Sequence, residues 1–87
     1  MDASTDRVGI GTATPSSKLE VNGDGSVLGA LNVTGISKAA QFQLLALNTA
    51  PSSATDTGTT GEIRIDANYI YICTATNTWV RADLATW

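Results

Sequence analysis

Histidine is absent from the 87 residues, and cysteine occurs once, at Cys73. The first absence removes every histidine-based triad and every Cys-His dyad. Together the two leave no ligand set for a structural zinc and no intrachain disulfide, so no metal and no cofactor is expected. Aromatic residues are equally scarce: Phe42, Tyr69, Tyr71, Trp79 and Trp87 are the full set. Much of the 43% hydrophobic fraction is alanine, which contributes little burial per residue. Five basic residues, Arg7, Lys18, Lys38, Arg64 and Arg81, stand against eight acidic ones for a net charge of −3. That balance offers no footprint for nucleic acid and none for an anionic membrane surface. Long apolar runs are missing too. The best candidate, residues 42–47, is broken by Gln43 and falls far short of the ~20 residues that span a bilayer. The opening Met1-Asp2-Ala3-Ser4-Thr5-Asp6 is polar and acidic, unlike a signal peptide.

These shortages converge on assembly. A lone domain of this length buries only roughly 60–65% of its unfolded surface. Small domains usually make up the deficit with disulfides, a metal or partner subunits. The first two are unavailable here, which leaves copies of the same chain.

Strand-like pieces are short and turn signals frequent. Residues 7–10 form a β-type run closed by Gly11 and Thr14-Pro15. Lys18-Leu19-Glu20-Val21 alternates and stops at Asn22-Gly23, a tight-turn dipeptide. Residues 26–33 carry Val27, Leu28, Leu31 and Val33 before Gly35, and read as a further strand. Leu19-x-Val21-x-Gly23 echoes as Leu31-x-Val33-x-Gly35, the size of strand-plus-turn unit that a β-solenoid or fibre shaft repeats. Residues 36–47 fit strand alternation on Phe42/Leu44 and helical spacing through Ala40/Leu44/Leu47; the β-rich surroundings favour strand. Residues 49–61, rich in threonine and serine with Ala50-Pro51 and Gly58, read as a linker or long loop.

The last segment is a three-stranded antiparallel meander. Glu62-Ile63-Arg64-Ile65, Tyr69-Ile70-Tyr71-Ile72-Cys73-Thr74 and Trp79-Val80-Arg81-Ala82-Asp83-Leu84 alternate around turns at Asp66-Ala67-Asn68 and Ala75-Thr76-Asn77. One face collects Ile63, Ile65, Ile70, Ile72, Val80 and Leu84, the candidate core of an assembly. The other collects Tyr69, Tyr71, Cys73, Trp79 and Arg81. A single three-stranded sheet covers only one face by itself, so the second calls for a partner, a ligand or another layer.

Two stretches carry a family resemblance. Arg7-Val8-Gly9-Ile10-Gly11-Thr12-Ala13-Thr14-Pro15-Ser16-Ser17-Lys18-Leu19-Glu20-Val21-Asn22-Gly23 resembles the V-G-I-G-T-x-x-P-x-x-K-L-x-V-x-G segment of bacteriophage tail-fibre and tailspike proteins. The ending, from Gly61-Glu62-Ile63 through Tyr69-Ile70-Tyr71-Ile72-Cys73 to Trp79-Val80-Arg81, is similar to a G-[DE]-I…Y-[IL]-Y-[IVL]-C…T-W-x-R ending in phage fibre proteins. The resemblance covers about half the chain, with one motif near each end. It implies an all-β, elongated parallel homotrimer with short strands in an N-terminal shaft and the meander as a small tip. It also implies adsorption to a host surface, often to its polysaccharide, and a place in the virion tail. The corresponding organisation is a shaft segment over residues 1–35, a connecting strand and loop over 36–60, and the tip over 61–87. In the resembled group the N-terminal motif often precedes a self-cleaving chaperone domain of the endosialidase type. No such domain follows Trp87 here, so either the tip nucleates the trimer or the chain is an end piece.

Chemical motifs add little. Ser17-Lys18 and Ser37-Lys38 place their neighbours on opposite faces of a strand, a poor start for nucleophilic catalysis. Carboxylate pairs for glycoside hydrolysis would have to come from Glu20, Asp24, Glu62, Asp66 and Asp83, which read as solvated charges near turns. The chain is therefore expected not to be an enzyme. Asn22-Gly23-Asp24-Gly25-Ser26 has oxygen ligands but not the spacing of a calcium loop and reads as a turn. Cys73, inside a strand, reads as a small buried apolar residue. Tyr69, Tyr71, Trp79, Trp87 and Arg81 are the candidate ligand-binding residues, since aromatic faces stack on sugars and keep a polar handle. Trp79, beside a turn, and terminal Trp87 are the two expected to be exposed. Three readings compete: a host-binding fibre tip, a purely structural trimerisation or decoration element of a phage or tail-like particle, and a bacterial surface adhesin.

Overall fold

A computed structural model describes residues 6–87; the first five residues of the acidic opening lie outside it. The described chain is all-β, with five strands and no helix, as the turn-rich sequence requires. It divides into two compact units, Met1–Lys38 and Ala39–Trp87.

The first unit is built on β1 (Val8–Ile10) and β2 (Leu19–Val21). Asn22-Gly23 does not close a hairpin between neighbouring strands. Instead β1 and β2 run parallel, pairing Val8 with Leu19, Gly9 with Glu20 and Ile10 with Val21. Their connection, residues 11–18, is shorter than the dozen or so residues usual for a parallel pair, and polar contacts fix its course. The Arg7 guanidinium donates to the Pro15 carbonyl at 3.1 Å. The Ser16 N–H donates to the Glu20 carboxylate at 2.9 Å. Pro15 is buried under Gly9, where an added Cβ would lie 2.4 Å from the Thr12 carbonyl oxygen and 3.3 Å from the Pro15 ring. The motif's first glycine is thus a packing requirement. Alternation leaves Val8, Ile10, Leu19 and Val21 together on the opposite face, all exposed.

Two expected strands are not formed. Residues 26–33 and 36–47 carry no regular structure, and of the two echoing L-x-V-x-G units only the first is a strand. The reason is the lack of a partner: a strand is stabilised by its ladder and cross-strand pairs, and neither segment has them within the chain. Their apolar side chains are mostly open to solvent; Leu28, Leu31, Ile36 and Phe42 are exposed and Leu45 is 104% exposed.

The second unit is the meander: β3 (Ile63–Ile65), β4 (Tyr69–Ala75) and β5 (Thr78–Asp83), in the order β3-β4-β5. Antiparallel pairing sets Ile63 against Ile72 and Ile65 against Ile70, then Ile72 against Val80 and Tyr71 against Arg81. A bulge between Cys73 and Ala75 precedes the second turn, where Asn77 adopts φ 53°, a conformation asparagine tolerates. Residues 48–61 are more than a linker. The Asn48 N–H donates to the Ile65 carbonyl at 2.8 Å, and its side-chain oxygen accepts the Ile65 N–H at 3.0 Å, so Asn48 sits on the β3 edge. Further along, the Ala54 carbonyl accepts the Trp79 N–H at 2.8 Å, on the edge of β5. Between those two anchors the segment crosses one face of the sheet.

Candidate functional site

The face under that crossing segment is the core. Tyr71, Cys73 and Trp79 are 6%, 1% and 5% exposed, with Ala50 and Tyr69 packed against them. Trp79, expected to be exposed beside its turn, is instead the keystone. Its indole N–H donates to the Asp56 carbonyl at 3.1 Å, and Gly58 lies against the ring so closely that a Cβ there would be 2.7 Å away. Gly58 and Asn77 exchange bonds of 3.0 Å each, N–H to carbonyl and N–H to side-chain oxygen. The Arg64 guanidinium stands 5.2 Å from the indole centroid, a cation–π distance. It is held there by Glu62 at 2.7 Å and by the Thr49 carbonyl at 3.2 Å. Cys73 donates from its thiol to the Ala75 carbonyl, the small buried role its strand position indicated.

A second cluster surrounds Tyr71. Its phenol donates to the Asp66 carboxylate at 3.0 Å, and its ring is 5.7 Å from that of Tyr69, tilted by 54°. Arg81 lies over the Tyr69 ring at 4.1 Å. Asp66 also accepts the N–H groups of Asn68 at 2.8 Å and Tyr69 at 2.7 Å. Those two backbone donors, more than Tyr71 or Arg81, hold its carboxyl below the ordinary range. Asp56 is lowered in the same way, chiefly by the backbone N–H groups of Ser52 and Thr57, and Glu62 by its bond from Arg64. Burial pushes the Tyr71 phenol up, and its bond to Asp66 adds to that.

The three lowered carboxylates give a pH dependence of definite sign. Each is depressed in the folded chain, so its contribution is present above the unfolded value near 4. It is lost as pH falls through the folded values. The melting temperature of the terminal unit is therefore expected to hold from pH 7 to about 5 and to fall below about 4. Asp66→Asn should shrink the acid-induced part. Circular dichroism melts across that range check both, and a melting temperature unchanged at pH 3 would contradict them.

Beside the core a cleft of about 320 Å³ opens, lined by residues 51–54 and by Tyr71, Trp79, Val80 and Arg81. Three of the five candidate ligand residues, Tyr71, Trp79 and Arg81, therefore meet at one place. Tyr69 adjoins them through Arg81. Trp87 is not among the lining residues and is fully exposed. The loop residues Pro51, Ser52 and Ser53 escape a reading of strands alone. A signal was present in Ser52 and Asp56, whose spacing suits the local bond between the Ser52 N–H and the Asp56 carboxylate at 2.8 Å. On the opposite face, register gathers Ile63, Ile65, Ile70, Ile72 and Val80. Ile63, Ile72, Val80 and Leu84 are exposed there. No cluster of acidic, histidine or cysteine side chains among the described residues is arranged to hold a metal, and no described helix is long and apolar enough to cross a membrane.

Two curated phage proteins share a segment with this chain. Over 37 residues, 42% of the chain, it is 54% identical to "Depolymerase, capsule K30/K69-specific" of Klebsiella phage K64-1. Over 36 residues, 41% of the chain, it is 47% identical to "Depolymerase 1, capsule K30/K69-specific" of Klebsiella phage K5-2. The shared segment spans 5% of the first relative's length and 4% of the second's. No family model matches the chain, and no solved structure matches it. The resemblance to phage tail-fibre and tailspike proteins read from the motifs is supported over that part of the chain.

Proposed function

We propose that the chain is a structural and receptor-binding part of a phage tail fibre or tailspike, placed in the virion tail. It trimerises through its β-rich C-terminal unit and adsorbs to host surface polysaccharide. The observation that carries this reading is the mismatch between apolar content and burial. Among the described residues only Tyr71, Cys73 and Trp79 form the buried hydrophobic core, while eighteen large apolar side chains stay exposed. Exposure on that scale marks surfaces made for association. It falls on the Val8/Ile10/Leu19/Val21 face, along residues 26–47 and on the isoleucine face of the meander. Residues 26–47, which lack pairing within one chain, acquire it between chains. In this arrangement Ile63, Ile65, Ile70, Ile72, Val80 and Leu84 are the trimer core.

The depolymerase names of the relatives support contact with capsule polysaccharide. Within this chain Glu62 is tied to Arg64, and Asp66 to Tyr71 and two backbone donors, positions suited to structure rather than proton transfer. A purely structural reading is favoured by one fact: Tyr71 and Trp79 are committed to the core and have little ring surface left for a sugar.

Light scattering tests the assembly, the expected species being three times the 9.0 kDa chain mass; a 9.0 kDa species in solution sinks the proposal. Binding of the labelled chain to encapsulated host cells then divides the adsorbing from the purely structural reading.

A further inference from the structure

We infer that the cleft between residues 51–54 and the outer edge of β5 binds a carboxylate-bearing saccharide, with Arg81 as the anion-binding residue. The inference rests on the polysaccharide reading above and names the chemistry of the sugar. Its starting point is a contrast between the two arginines of the terminal unit. Arg64 is consumed by the fold, bonded to Glu62 at 2.7 Å and to the Thr49 carbonyl at 3.2 Å. Arg81 makes no salt bridge among the described residues and is exposed. Asp66, which feels its charge, already has both oxygens engaged, one by two backbone donors and the other by the Tyr71 phenol.

Arg81 is nevertheless positioned. Its guanidinium rests over the Tyr69 ring at 4.1 Å and also acts on the Tyr71 phenol as a donor, which positions it while its remaining N–H groups serve a planar acceptor. A carboxylate is the group whose geometry matches that fork in two parallel bonds. The strand edge adds a second donor. Trp79 directs its backbone N–H outward to the Ala54 carbonyl, and the two-residue alternation of an antiparallel strand sends the Arg81 N–H out of the same edge. Across the cleft, Ser52 and Ser53 bring hydroxyl groups on a loop whose course is fixed by the Ser52–Asp56 bond at 2.8 Å. The volume of about 320 Å³ lies at the small end of ligand pockets and suits one sugar unit of a longer chain. Because the net charge is −3, no long-range attraction helps an anion approach. Recognition is short-range, and affinity for a single unit is low.

NMR titration of the isotopically labelled full chain with sodium glucuronate, glucose and sodium acetate tests this. Glucuronate is expected to shift the Arg81 side-chain N–H and the amides of Ser52, Ser53 and Ala54. It should bind more tightly than acetate, which lacks the ring contacts, and about tenfold more tightly than glucose, the worth of one charge-assisted pair. Arg81→Gln should remove that preference without changing the assembly mass. Equal affinity for glucuronate and acetate would mean an adventitious ion only and overturn the inference. So would equal affinity for glucuronate and glucose, undiminished binding in Arg81→Gln, or shifts confined to other surfaces. A chain that binds encapsulated cells but fails these tests overturns the cleft assignment alone. A chain that binds no polysaccharide overturns the broader reading.

Discussion

Trp79→Ala is expected to unfold the terminal unit, not merely to trim a binding surface. The indole is 5% exposed, covers Gly58 on one side, faces Arg64 and holds the crossing loop through its bond to Asp56. Truncating a buried tryptophan to alanine costs about 3–5 kcal/mol. A unit with three buried hydrophobic side chains has little more than that in reserve. In urea, monitored by circular dichroism, Trp79→Ala should show no folded baseline for the sheet. Trp79→Phe, which keeps the ring and loses the indole N–H, should retain a transition at lower denaturant. An alanine variant within about 1 kcal/mol of the parent would show that the loop, and not the ring, organises the unit. The same logic makes Trp79 a poor probe of ligand binding, since its loss confounds contact with folding. Arg81, exposed and outside the core, is the residue that separates the two.

Ile63→Lys with Ile72→Lys is expected to convert the proposed trimer to monomers while leaving the chain's own sheet intact. The two residues face each other across β3 and β4 and are exposed in the single chain, so lysine in either place meets water when the chain is alone. In the proposed trimer the substitution would bury charge where each isoleucine contributes roughly 1.5–3 kcal/mol of burial. Three chains multiply that penalty. Sedimentation should report the single-chain mass with an unchanged circular dichroism spectrum. An unchanged assembly mass would move the interface to the Val8/Ile10/Leu19/Val21 face or to residues 26–47.

The meander was legible because its signals agree. Period-two alternation, turn residues at both bends and a one-to-one register put Ile63, Ile65, Ile70 and Ile72 on one face and Tyr71, Cys73 and Trp79 on the other. Which face is covered was not legible. That depends on residues 48–61, whose composition reads as a loop and whose work is done by single contacts, Asn48 on Ile65, Ala54 on Trp79 and Gly58 on the indole. Such contacts leave no period. The failure at residues 26–33 and 36–47 has the opposite cause: an apolar pattern suited to a strand, with no partner inside one chain to pair with. In the cleft, Tyr71, Trp79 and Arg81 were singled out by residue type, but their exposure followed from the loop and only Arg81 stayed open.

The crossing loop also governs what kinds of aggregate the sheet permits. Asn48 occupies hydrogen-bonding groups on the β3 edge, and Ala54 takes a donor from the β5 edge. Both margins where a foreign strand would dock are thus partly filled by the chain's own backbone. Open-ended ladder growth, the route to amyloid, needs two vacant margins of matching length. With both margins partly filled by the chain's own backbone, edge-to-edge growth is hindered, and the bare isoleucine face is the surface that stays open to another copy.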